Sequence, residues 1–275
     1  MRTLTHVLAG EEAGGGTLPD LHPLLGRRGI KLRRNSVTMC VAQPNGGKSA
    51  FALNYAITSG VRTLFISADT DQKTTMLRSA AIVLGRKVDE IEEMVEAGDK
   101  SEIADAMSDL EVNLRFCFDP SPSLDDIALE VDAYLELFAD YPQLIVIDNL
   151  MNLVGGSDGE WSALREACLA MHHLARTTEA CVLVLHHVSE SEGNSKVPSA
   201  RKAIQGKISQ LPEQILSVAI DPDTEEFRVA AVKNRHGKHD ASGHDWVGIP
   251  IDLTRMKFYD SPSDKLLAQK MGEWQ

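Results

Sequence analysis

The sequence predicts an α/β fold: a mainly parallel twisted sheet with helices on both faces, extended towards its C-terminus by antiparallel hairpins. Three observations predict it. From Ser36 onward, short β-rich apolar runs alternate with segments of helical period. One run, Leu144-Ile145-Val146-Ile147, is wholly apolar, as a strand buried on both faces requires. Between the first strand and the first helix, Ala42-Gln43-Pro44-Asn45-Gly46-Gly47-Lys48-Ser49 has the spacing of a phosphate-binding loop, with alanine at the first glycine position.

The elements follow in order. Residues 1–35 read as an N-terminal arm or linker, with a flexible Glu11–Gly16 stretch and a basic cluster of Arg27, Arg28, Lys31, Arg33 and Arg34. That cluster is as compatible with a solvated loop as with a functional role. Ser36–Val41 is the first strand and Ser49–Ser59 a helix carrying Phe51, Leu53 and Ile57. Thr63–Ser67 is a strand, Gln72–Leu84 a helix, and Val88–Leu110 an acidic helical pair broken at Gly98. Leu114–Phe118 is a third strand, Leu124–Phe138 a helix, Leu144–Ile147 a strand, Trp161–Thr178 a helix and Cys181–Leu185 another apolar strand. Short strands at Ile215–Ile220, Phe227–Lys233, Trp246–Ile251 and Met256–Tyr259 then follow through turns such as Asp221-Pro222-Asp223-Thr224. The core domain is therefore placed at 36–260. A C-terminal tail, 261–275, has a short helix from Lys265 that is expected to pack.

Composition narrows the class. A chain of 275 residues with 43% hydrophobic and 25% charged content suits one globular α/β domain. It holds no apolar run of membrane-spanning length, and Met1–Gly10 lacks the shape of a signal peptide. Cys40, Cys117, Cys168 and Cys181 stand singly, so they read as reduced core residues of a cytoplasmic protein. No second close ligand pair accompanies Cys168 and His172 or Cys181 and the His186-His187 pair, so zinc is not expected. A net charge of −12 excludes a protein that coats duplex DNA with its whole surface, but leaves room for one strand in a local basic channel.

The phosphate loop carries the chemistry. Gly46 and Gly47 allow consecutive backbone N–H groups to face a phosphate at a helix N-terminus. Lys48 reaches the β- and γ-phosphates, and Ser49 offers its hydroxyl to Mg²⁺. Pro44 to Ala50 is thus the expected ATP-binding segment. Ligands of such sheets bind at the C-terminal ends of the strands, where further candidates stand. Asp148 ends an apolar strand, where an unpaired carboxylate is costly, and is the second Mg²⁺ anchor. Asp69 follows Phe65-Ile66-Ser67 and is placed to hold the attacking water; Asp71 is its rival, and either fits a helix cap. His187 ends the Cys181–Leu185 strand and is the candidate contact for the γ-phosphate. Lys233 and Arg235, leaving a strand into the Gly237 turn, are either a solvated hairpin tip or cations delivered to a neighbouring subunit.

These elements, in this order, resemble the RecA-like core of the DnaB-family replicative helicases, over roughly Ser36 to Tyr259. Ser67-Ala68-Asp69 stands where that family has Ser-Leu-Glu, which implies Asp69 as the catalytic carboxylate on a shorter side chain. Leu144–Asp148 matches the family's apolar strand ending in Asp, and Leu183-Val184-Leu185-His186-His187 its strand ending in the γ-phosphate sensor. Paired histidines also look like the plasmid RepA ring helicases. Lys233-Asn234-Arg235 matches the family's Lys-x-Arg, and Lys-Asn-Arg-His-Gly is close to the signature of the branch-migration ATPase RadA.

The resemblance implies an ATP- and Mg²⁺-dependent ring, hexameric, that moves on single-stranded DNA, with a primase or loader as partner and a phage or plasmid origin. It implies DNA contact through two loops, Met151–Trp161 and Ser189–Lys207. The second carries Lys196, Arg201, Lys202 and Lys207, cations suited to phosphate tracking without base readout. Two alternatives stay open: a RadA- or RecA-like recombination ATPase, and a slow ATP-dependent assembly switch motivated by Asp69.

Overall fold

The computed structural model describes residues 16–153, 160–189 and 196–272. Among these, nine strands form one sheet in the order β3-β2-β4-β5-β1-β6-β7-β8-β9. They are β1 (Ser36–Ala42), β2 (Thr63–Ser67), β3 (Leu114–Cys117), β4 (Leu144–Asp148), β5 (Cys181–His187), β6 (Gln214–Asp221), β7 (Glu226–Asn234), β8 (Trp246–Asp252) and β9 (Lys257–Phe258). Strands β1 to β6 pair in parallel, and β6 to β9 run antiparallel. The helices are α1 (Pro23–Gly26), α2 (Lys48–Thr58), α3 (Gln72–Leu84), α4 (Val88–Ala97), α5 (Ser101–Leu110), α6 (Leu124–Phe138), α7 (Glu160–Thr178) and α8 (Pro262–Gly272).

Alternation along the strands divides the core into two layers. Val37, Met39 and Val41 of β1 face one side with Ile145 and Ile147 of β4, covered by Ile127 and Val131 of α6 and by Leu164 and Met171 of α7. Cys40 and Ala42 face the other side with Val146, Leu183 and Leu185, covered by Phe51, Leu53 and Tyr55 of α2. A smaller cluster joins Leu77 and Ala81 of α3 to Ile91 of α4 and Ile103 of α5. Gly98, at φ 82°, separates α4 from α5 where the sequence placed the break. No described helix is long and apolar enough to cross a membrane.

Several details differ from the sequence reading. Strand β3 stops at Cys117, whereas β4 and β5 run on to include Asp148 and His187, because the parallel register pairs Ser67 with Asp148 and Ala42 with His187. The segment read as an arm is packed in its second half. Leu18, Leu21, Leu25, Ile30 and Leu32 are buried in the α2 layer, and the Tyr55 hydroxyl donates to the Pro19 carbonyl at 2.8 Å. The i, i+3, i+7 spacing of Leu18, Leu21 and Leu25 is the signal for it. The basic cluster there is tied down: Arg28 pairs with Asp245 at 2.6 Å and Lys31 with Asp20 at 3.2 Å, and Arg34 Nε donates to the Glu179 carbonyl at 2.8 Å.

Candidate nucleotide site

The registers that place Asp148 beside Ser67 and His187 beside Ala42 bring four strand ends to one edge of the sheet. The loop between β1 and α2 lies across that edge. Gly47 is the α2 N-cap at φ 83° and Asn45 has φ 60°, so the chain turns through two left-handed residues as it enters the helix. A Cβ on Gly46 would lie 2.6 Å from the Ala42 Cβ. Alanine at the first position of the motif is thus accommodated only because residue 46 lacks a side chain.

Beside the loop opens a cleft of about 820 Å³. Its phosphate-loop wall is Pro44 to Ala50, and its opposite walls include Asp69, Thr70, Arg78 and His187, then Val88, Asp89, Leu253, Thr254 and Met256. Val88 N donates to the Thr254 carbonyl at 2.8 Å, and Asn54 Nδ2 to the Met256 carbonyl at 2.9 Å. These bonds fix the β8–β9 turn as the far wall. The expected loop residues, Asp69 and His187 therefore line one cavity, with Asp148 beneath it.

Lys48 is buried, and its Nζ donates to the Gln43 carbonyl at 3.5 Å. Burial lowers its pKa, opposed by the nearby Cys40, Asp148 and Asp69. Asp148 is 1% exposed, and burial pushes its carboxyl up to about 6 despite a hydrogen bond from Ser49. Its Oδ1 has no hydrogen-bond partner among the described residues. A buried carboxylate oxygen without a partner, beside a serine hydroxyl at a phosphate loop, is a donor set that suits Mg²⁺, which takes one or two protein oxygens and fills its shell with phosphate and water. Asp148 and Ser49 would hold it.

Asp69 is exposed on the cleft wall, its N–H held by the Asp148 carbonyl at 3.1 Å. Asp71 is the α3 N-cap and accepts from Thr74 N at 3.0 Å, so of the two carboxylates Asp69 faces the cleft and Asp71 caps the helix. Met151 N donates to Asn149 Oδ1 at 2.9 Å, which orients the amide so that Nδ2 faces His187 Nε2 at 3.3 Å. His187 Nε2 is then an acceptor, and the ring proton sits on Nδ1. Its pKa is lowered by burial and then by Lys48.

The neighbouring His186 is fully buried and its Nε2–H donates to the Gln205 carbonyl at 2.8 Å. Together with the Val188–Ile204 bridge, this bond docks the segment after β5 against the strand end. Burial lowers the His186 pKa from 6.5 to about 4. A depressed histidine pKa contributes stability that is present above the unfolded value of 6.5 and is lost as pH falls towards 4. The loss from this group between about pH 7 and about pH 5 is expected to be about 2 kcal/mol. His186→Gln keeps a donor for Gln205 without titrating. Denaturant unfolding at both pH values should show a smaller acid loss in that variant, and an equal loss would remove His186 as its source.

The remaining predicted residues lie elsewhere. Strand β7 runs antiparallel to β6, and Asn234 pairs with Gln214, which in turn pairs with Thr38 near the start of β1. Lys233 and Arg235 therefore stand at the opposite end of the sheet, on the order of 13 Å along the strand axis from Ala42. They do not line the cleft. Lys233 Nζ donates to the carbonyls of Ser209 at 3.1 Å and Gln210 at 2.6 Å, and burial lowers its pKa to about 8. Arg235 is 56% exposed.

Of the four basic residues assigned to DNA, Lys196 pairs with Asp223 in the β6–β7 turn, its carbonyl accepting from Arg228 Nη1 at 3.0 Å. Arg201 N donates to the Ala241 carbonyl at 2.9 Å, and Lys202 and Lys207 are exposed on two short 3-10 turns. The described part of this segment is thus docked rather than a loose loop. Residues 154–159 of the first predicted DNA loop, including Val154-Gly155-Gly156-Ser157, and 190–195 of the second lie outside the described residues. Arg78, Asn149 and the β8–β9 turn escaped the sequence reading. Arg78 lies nine residues beyond Asp69 on α3, and only the helix's packing turns it into the cleft, where it acts electrostatically on Asp148.

Comparison with known proteins agrees with this geometry. The AAA domain family matches residues 17–193, beginning where the packed part of the N-terminal segment begins. The Gene 65 protein of Mycobacterium phage L5 is 37% identical over 258 residues, covering 90% of this chain and 94% of its own. The Gene 65 protein of Mycobacterium phage D29 is 37% identical over 233 residues, covering 82% and 98%. Among solved structures, one isolated ATPase domain superposes with a TM-score of 0.76 at 14% identity, over 94% of this chain and 96% of that one. A DnaB-like replicative helicase, solved with its primase interactions, gives a TM-score of 0.75 at 15% identity, over 93% of this chain and 66% of that one. With a family match over most of its length and phage relatives that it spans almost end to end, the chain belongs to the AAA domain family, and its fold is the RecA-like P-loop core of the DnaB-type ATPase domains.

Proposed function

We propose that the chain is the subunit of a hexameric ring ATPase that moves on single-stranded DNA and unwinds duplex, a helicase of the DnaB type. The observation that carries this reading is the divided site. Phosphate loop, Asp148, Asp69 and His187 share one cleft, while the cations of the Lys-x-Arg pair stand at the far end of the sheet, out of that cleft's reach. A second copy is needed to bring them together, which a ring supplies at every interface.

Within that site, the Gly46–Ser49 backbone and Lys48 hold the phosphates, and Asp69 orients water against the γ-phosphate. Mg²⁺, held by Ser49 and Asp148, would neutralise charge on the β- and γ-phosphate oxygens. The Nδ1–H of His187 is placed to respond to the γ-phosphate. Through the adjacent His186, that strand end is joined to the docked segment of Arg201, Lys202 and Lys207. These cations, with Lys196, would track DNA phosphates in an otherwise acidic protein. The reading extends to a phage-encoded protein of the cytoplasm that meets a primase or loader.

The test is strand displacement on a tailed fork with Mg-ATP, for the native chain and for Arg201→Ala/Lys202→Ala/Lys207→Ala. The native chain should displace the strand. The triple variant should bind single strands more weakly and lower the salt slope by about 2, near 0.7 for each phosphate no longer neutralised. An unchanged slope would take this segment off the DNA. DNA-stimulated hydrolysis without displacement would favour a RadA-like remodeller, and nucleotide binding without turnover an assembly switch.

A further inference from the structure

Glu213 precedes β6 and joins three elements that the sequence keeps apart. Its backbone N–H donates to the Val37 carbonyl at 3.1 Å, and its Oε2 accepts from Val37 N at 3.0 Å, so it clasps the start of β1. Its own carbonyl accepts from Arg235 N at 3.1 Å. Its Oε1 lies 3.8 Å from Arg235 Nη1 and 3.5 Å from His172 Nδ1 of α7. The glutamate is 15% exposed while the Arg235 side chain is 56% exposed, so a fixed carboxylate holds the base of a guanidinium whose remaining face is open.

The bonding of this one residue constrains Arg235 twice, at the backbone and at the side chain. An arginine on a strand end carries about 2 kcal/mol of rotamer entropy, and delivering it to a neighbour's phosphate is faster when its orientation is already restricted. Lys233 is held in the same way by the Ser209 and Gln210 carbonyls, four and three residues before Glu213. The turn leading into β6 therefore anchors both cations of the pair. We infer that Glu213 is a positioning residue for Arg235, setting the geometry with which that arginine reaches the adjoining subunit's nucleotide site. The inference rests on the proposal that Arg235 acts across an interface.

The rival role for Glu213 is structural, acting through its clasp on β1 upon the phosphate loop of its own subunit. Glu213→Gln separates the two, because the amide oxygen still accepts from Val37 N while the charge facing Arg235 is gone. Turnover should fall about tenfold to a hundredfold with nucleotide affinity unchanged. Co-expressed pairs then locate the defect. A ring of Glu213→Gln and Lys48→Ala subunits should regain turnover, since the first keeps an intact site and the second an intact arginine. A ring of Glu213→Gln and Arg235→Ala subunits should not.

The opposite pattern would place Glu213 on its own loop and overturn the inference. So would recovery in both pairs, or full turnover in Glu213→Gln alone. If Glu213→Gln does not fold, Glu213→Asp, which withdraws the charge by one methylene, is put through the same pairs. Rings of Lys48→Ala with Arg235→Ala test the underlying reading separately. No recovery there means that Arg235 does not act across an interface at all, and the role of Glu213 falls with it.

Discussion

Replacing Arg235 by alanine is expected to lower ATP turnover by about 10³-fold or more, with nucleotide affinity unchanged, because an arginine supplied in trans contributes about 10³–10⁵ in rate. The expectation comes from position. Arg235 follows β7 at the edge of the sheet opposite the phosphate loop, so its removal leaves its own cleft intact. At 56% exposure its loss costs the fold little. Steady-state turnover, nucleotide titration and thermal melting on one preparation separate the alternatives. Preserved turnover would show that the active site is complete within one chain. A fall in affinity or melting temperature equal to the fall in turnover would make Arg235 a structural residue.

The second large effect is expected from Lys48→Ala. The ammonium is buried, its pKa is lowered by burial, and Cys40, Asp148 and Asp69 act on it. Hydrogen bonds to charged partners contribute about 1.5–3 kcal/mol, so nucleotide affinity should drop about tenfold to more than a hundredfold. Turnover should fall further, by about 10²–10³ at saturating nucleotide, because the lysine also meets charge that develops on the transferred group. Stability should move the other way or stay level, since burying an ammonium disfavours the folded state. A variant that binds nucleotide weakly yet melts no lower than the native chain marks Lys48 as a ligand-binding residue. Unaltered affinity would remove this loop from the nucleotide site.

How much of this is legible in the sequence depends on the range of the interaction. The phosphate loop, the helix after it and the apolar strand ending in Asp148 are written in contiguous residues, and α3, α4, α5 and α6 have the bounds that their periodicity and Gly98 predict. Sequence leaves the choice between Asp69 and Asp71 open, because both suit a strand end or a cap. The fold decides it: Asp71 takes Thr74 N, leaving Asp69 on the cleft wall. The packing of Leu18 to Leu32 is obscured by the basic residues between them, which read as solvated until the fold brings their acidic partners Asp20, Asp245 and Glu179 near.

The sequence by itself determined the local machinery: a phosphate loop between strand and helix, carboxylates and a histidine closing apolar strands, and an acidic chain with its cations gathered in a few segments. Only the tertiary structure decided which of these meet. Strand order and register are set by contacts between residues far apart in the chain, so nothing local could tell that Asp148 would lie beside Ser67 or that Arg78 would turn into the cleft. The reversal of direction between β6 and β7 is what carries Lys233 and Arg235 away from the site their motif belongs to, into the grip of Glu213 and the Ser209 and Gln210 carbonyls.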